Sequence, residues 1–97
     1  MTDEPVQTFA SVWDALEETS EEAANMRLRS ELAIAVSGAV QEWKLTQAQA
    51  AARLGVTQPR LNDLLRGRLD RFSLDALIGL AERAGLAVRM EITRAAA

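Results

Sequence analysis

Gln47-Ala48-Gln49-Ala50-Ala51-Ala52-Arg53-Leu54-Gly55-Val56-Thr57-Gln58-Pro59-Arg60-Leu61-Asn62-Asp63-Leu64-Leu65 is the stretch whose reading decides the fold. Thr46 stands where an N-cap is needed, and Gly55 stands where a short helix over 47–54 must end. Thr57 repeats the capping signal for a second helix over 58–66, with Pro59 in its first turn, where a missing N–H does no harm. Gly67 closes that helix. Counting Gln47 as the first position, the fifth is Ala51, small enough for a second helix to cross close by. The ninth is Gly55, which turns the chain. The fourth, eighth, tenth, fifteenth and eighteenth are Ala50, Leu54, Val56, Leu61 and Leu64, all apolar.

That spacing is the helix-turn-helix pattern, with the motif over 47–66. Two packed helices without a nucleic-acid role are the plain alternative, and the local charge argues against it. Residues 44–71 hold Lys44, Arg53, Arg60, Arg66, Arg68 and Arg71 against Asp63 and Asp70, a balance of +4. The whole chain, at 97 residues, carries −3 and a pI near 4.9, which by itself argues against nucleic acid. The sum hides two unlike parts. Residues 1–22 hold Asp3, Glu4, Asp14, Glu17, Glu18, Glu21 and Glu22 and no base, so the remaining residues net +4. The reading is an acidic arm over 1–19 ahead of a helix-turn-helix and dimerisation domain over 20–94.

Working outward, Phe9, Val12, Trp13 and Leu16 fall on one face of a short helix, with Ser11 as a plausible cap. Thr19 and Glu22 fit a capping box for a long helix over 20–43. Its apolar positions are Met26, Leu28, Leu32, Ala35, Val36, Ala39, Val40 and Trp43, and Gly38 invites a bend or fraying. After the motif, Ser73 caps a helix over 74–84 that Gly85 closes. Leu86, Val88, Met90 and Ile92 then alternate with Ala87, Arg89, Glu91 and Thr93, a strand pattern. A lone strand leaves unpaired backbone groups, which a twin strand in a second copy or an extended N-terminal piece would satisfy, and twofold pairing is the simpler solution. Those four residues are therefore the expected dimer contacts.

Other functions are excluded by what the chain lacks. Without cysteine or histidine there are no disulfides, no thiolate or imidazole metal ligands and no His-based acid–base chemistry. No glycine-rich phosphate loop is present, so neither an enzyme nor a cofactor is expected. No apolar run approaches a membrane span, and the acidic N-terminus is unlike a secretory signal. A soluble cytosolic protein is the expectation.

Roles within the motif follow from helix geometry. Leu61, Leu64 and Leu65 mark the buried face of the second helix. Pro59, Asp63 and Arg66 point away from it, with Arg60 and Asn62 on the flanks. Such a helix enters the major groove with its N-terminal residues at base edges, so Thr57, Gln58, Pro59 and Arg60 form the leading tip. Gln58 suits adenine, and Arg60 suits guanine or a phosphate. Asp63 faces a cytosine or pairs with a neighbouring arginine. Gln47, at the start of the first motif helix, suits a phosphate, as do Arg66, Arg68 and Lys44. Arg53 fits a surface ion pair as well as a phosphate, and Arg71 lies near Asp70 and Asp75.

The stretch from Leu45 to Ile92, and TQPRLNDLLRG with FSLDAL in particular, resembles the XRE/Cro-type helix-turn-helix family and within it the HigA-type antitoxin branch. The upstream SVWDALEETSEEAANMRLRSELAIAV (residues 11–36) resembles that branch too. Gly38, Arg71 and Gly79 depart from its usual pattern. The resemblance implies a mainly α, four- to five-helix DNA-binding domain, here with a C-terminal β-strand and an acidic helical arm. It implies a homodimeric repressor of its own operon that reads an inverted-repeat operator in double-stranded DNA and neutralises a RelE/HigB-like toxin. An acidic helix bearing Phe9, Val12, Trp13 and Leu16 suits the basic surface expected of an RNA-cleaving toxin. A stand-alone regulator without a toxin is the alternative.

Overall fold

The computed structural model describes residues 5–95, with side chains from residue 20 onward. Among them are four α-helices: α1 (Pro5–Trp43), α2 (Gln47–Leu54), α3 (Gln58–Leu65) and α4 (Leu74–Arg83). A 3-10 turn, Leu69–Arg71, links α3 to α4.

The expected helix start at residue 20 is replaced by one continuous helix, so arm and body share α1. The pattern Thr19-x-x-Glu22 suits a capping box, but it also sits without difficulty inside a helix. Between Pro5 and Gly38 no glycine or proline interrupts the sequence, and a helix once nucleated propagates through such residues. Gly38 does not end the helix either: α1 continues to Trp43. The candidate contact side chains Phe9, Val12, Trp13 and Leu16 lie outside the described side chains.

α1 is the platform. Ala33, Val36 and Val40 are buried on one face at i, i+3 and i+7, and α1 packs against α4, α3 and the 3-10 turn. The expected apolar face is only partly right, because Met26, Leu28 and Ala35 are exposed while Ala33 joins the core. Leu54, Leu61, Leu64, Leu77 and Val36 are the fully buried anchors, and Ala50, Ala51, Phe72, Leu80, Ala81 and Ala84 join them in the cluster. Burying each such side chain contributes about 1.5–3 kcal/mol relative to leaving it in water.

The caps form as the residues dictate. Thr46 Oγ1 accepts from Gln49 N at 3.1 Å, and Gln49 Oε1 accepts from Thr46 N at 3.1 Å, a reciprocal capping box. Gly55 turns the chain with φ 74°, and the Val56 N–H donates to Ala51 O at 3.0 Å. Ser73 Oγ accepts from Ala76 N at 3.0 Å and starts α4.

The C-terminal strand is not formed: residues 86–95 carry no strand, and no strand occurs among the described residues. Alternation records which side chains would share a face, but a strand exists only when another backbone completes its ladder. Among the described residues no other extended backbone pairs with it. Leu86 packs against the core, while Val88, Met90 and Ile92 are exposed, the last two at 80 % and 84 %. No helix among the described residues is long and apolar enough to cross a membrane.

Candidate nucleic-acid interface

The turn between α2 and α3 is short because Gly55 and the Thr57 cap leave only Val56 between them. Thr57 Oγ1 accepts from Arg60 N at 3.3 Å, satisfying one of the free N–H groups at the start of α3. Leu61 and Leu64 hold the inner face of α3 against the core at 1 % and 2 % exposure. Thr57, Gln58 and Pro59 are exposed at the leading end, Arg60, Asn62 and Asp63 are half-buried along the flanks, and Arg66 is exposed at the C-cap. Pro59, Arg66, Arg60 and Asn62 lie as the hydrophobic spacing predicts, but Asp63, expected to point away with Pro59 and Arg66, is half-buried by comparison, its side chain 16 % exposed.

Around that frame the arginines are organised. The Arg60 guanidinium lies 4.1 Å over the ring centre of Phe72, and its Nη1 donates to Arg71 O at 2.9 Å. A cation over an aromatic face is attracted by the ring quadrupole, so Arg60 is aimed rather than free. Arg68 Nη1 lies 3.1 Å from Asp63 Oδ1, and Arg71 Nη1 lies 3.4 Å from Asp63 Oδ2. Of the two roles open to Asp63 on sequence grounds, the arginine pairing is the one present. Arg71 also resolves differently from its sequence neighbours: its carboxylate is Asp63 across the turn, in place of the nearer Asp70 or Asp75.

Arg29 reaches this region from α1. Its Nη1 donates to Leu69 O at 2.8 Å and Phe72 O at 3.3 Å, pinning the 3-10 turn, while its buried Nε has no partner. Sequence reasoning missed Arg29 and Phe72 as determinants of the site. The separations of 40 and 43 residues leave no local signal for the Arg29 contacts.

Lys44 and Gln47 flank the α1–α2 turn, both exposed, and do not join the Asp63 network. Lys44 adopts φ 55°, the one non-glycine residue with positive φ among those described. The Arg53 guanidinium stacks over the Trp43 ring at 4.0 Å. Among the described residues no group of three or more acidic, cysteine or histidine side chains could hold a metal ion.

The arrangement matches known proteins in the same region. A helix-turn-helix domain family model matches residues 15–93. A solved structure provisionally named as an XRE-family transcriptional regulator is 33 % identical, with a TM-score of 0.71. The match covers 78 % of this chain and 91 % of that one. No curated protein matches. On the family model, the shared structure and the α2–Gly55–α3 geometry together, the chain belongs to the XRE-type helix-turn-helix family.

Proposed function

We propose that the protein is a sequence-specific, dimeric transcriptional repressor and the antitoxin of a type II toxin–antitoxin pair. The observation that carries the DNA-reading half is the capped, exposed leading end of α3 beside the ordered Arg60. Gln58 and Arg60 carry the bidentate groups that suit adenine and guanine in the major groove. Gln47, Lys44, Arg66 and Arg68 supply phosphate contacts, whose strength falls as salt rises. The reading has no catalytic step and needs no cofactor, and it places the protein in a bacterial or phage-infected cytoplasm beside the nucleoid.

Two copies are part of the reading. Exposed Val88, Met90 and Ile92, with half-buried Leu86, form an apolar edge that a twin segment can pair with. A twofold dimer of this kind sets two α3 helices about 34 Å apart, one DNA turn, and so reads an inverted repeat.

The antitoxin half rests on the acidic arm. Seven acids without a base in residues 1–22 surround the apolar set Phe9, Val12, Trp13 and Leu16. Such a segment is complementary to a basic, RNA-binding toxin of the RelE/HigB kind. The test is co-purification of the full chain with the product of the adjacent gene, comparing wild type with a Trp13→Glu, Leu16→Glu variant. Loss of the partner with retained DNA binding supports the arm as the toxin-binding segment; unchanged partner binding refutes it. A stand-alone regulator is the second reading, favoured by the name of the solved relative, which speaks of transcriptional regulation alone. Absence of any co-purifying neighbour would select it.

A further inference from the structure

An acidic residue on the face that meets phosphate calls for an explanation. A carboxylate there repels DNA, and exposed ion pairs stabilise a fold very little. Asp63 is placed in that position, its side chain only 16 % exposed and paired with two arginines. Each of its oxygens takes one guanidinium: Oδ1 takes Arg68 and Oδ2 takes Arg71. Arg60 joins the same frame through Arg71 O. The backbone reinforces it, since Arg68 N donates to Asp63 O at 3.0 Å. Each of these three contacts uses Nη1 alone. A guanidinium has five N–H donors, so Arg60, Arg68 and Arg71 keep most of their donors for DNA while their directions are set.

We propose that Asp63 is a positioning residue: it fans Arg68 and Arg71 into fixed directions beside α3, so that they meet the phosphates flanking the recognised bases in one register. This rests on the DNA-reading function proposed above. The carboxylate costs some attraction to any DNA and in return favours the duplex whose phosphates fall where the arginines point. Its product is specificity, because side chains ordered in advance lose less freedom on binding.

The sign of one substitution tests this. Asp63→Asn removes a negative charge and nearly preserves shape. By charge alone it tightens binding to every duplex equally. By positioning it weakens binding to the preferred duplex and leaves or raises binding to others, lowering the specificity ratio about tenfold. The probes are a duplex enriched by the wild-type chain from a randomised pool and a scrambled duplex of equal length. Thermal melts confirm that the variant folds. The same substitution is then made in an Arg68→Ala, Arg71→Ala background, where nothing remains to be positioned and the ratio is expected to stay constant. Parallel tightening on both duplexes overturns the proposal. So does a loss confined to one base pair, which marks Asp63 as a base reader, and so does an undiminished effect in the double-alanine background. If the wild-type chain enriches no duplex, the DNA-reading function itself falls and this inference with it.

Discussion

Replacing glycine by alanine at two positions of this chain should move stability in opposite directions. Gly38 lies inside α1, and a Cβ added there meets no atom within 4 Å. Alanine then supplies better helix propensity at no steric cost, a gain of about 0.5–1 kcal/mol. Gly55 ends α2 at φ 74°. A Cβ there meets Arg83 Nη1 at 3.6 Å and Arg83 Cδ at 4.0 Å, which is ordinary contact, so crowding contributes nothing. The cost comes from the left-handed backbone, about 1–2 kcal/mol for a residue with a Cβ. The two variants should therefore differ by about 1.5–3 kcal/mol. In a domain of this size each kcal/mol moves Tm by roughly 4–8 °C. Urea unfolding and thermal melts check it, at one fixed protein concentration because the proposed dimerisation would shift apparent stability. Two shifts of the same sign, or a neutral Gly55→Ala, would refute the backbone reasoning. Gly79→Ala, inside α4 with equally open space, should follow Gly38.

The remaining predictions concern the pieces that hold and surround the interface. Arg29→Met removes the donor to Leu69 O and Phe72 O and should cost about 2 kcal/mol in urea unfolding; an unchanged midpoint would mean the 3-10 turn holds itself. Lys44→Gly relieves the φ 55° backbone and should raise stability by about 1 kcal/mol. If Lys44 touches a phosphate, the same variant should flatten the salt dependence of DNA binding by about one unit of slope. Met90→Asp should weaken the dimer in analytical ultracentrifugation, because it sets like charges in a twofold apolar seam; an unchanged dimer would move the interface elsewhere.

What the sequence disclosed divides by the range of the signals. The α2–Gly55–α3 unit was legible because three local devices agree: the Thr46 cap, the left-handed Gly55 and the Thr57 cap, all within one apolar spacing. Thr19-x-x-Glu22 misled because a capping box and a continuing helix share those residues, and only the unbroken backbone of α1 decides. The alternation from Leu86 to Ile92 is real as a pattern, yet a strand needs a second backbone and the described residues supply none. Arg71 was matched to its nearest acids along the chain, whereas the 3-10 turn carries it back to Asp63. Arg29 and Phe72 were invisible because their partners lie on other elements. The exposed face of α3 is thus written locally, while the frame that holds its arginines is tertiary.

The central claim is that α3 reads DNA through its leading end. The most direct measurement is the affinity of wild type and Arg60→Ala for a duplex enriched from a randomised pool by the wild-type chain, titrated at several salt concentrations. The enriched duplex should be an inverted repeat with half-site centres about one helical turn apart. Arg60→Ala should lose about 1–3 kcal/mol on it and relax the preference at one position of each half-site. No enriched sequence, or equal affinity of wild type and variant, would contradict the account.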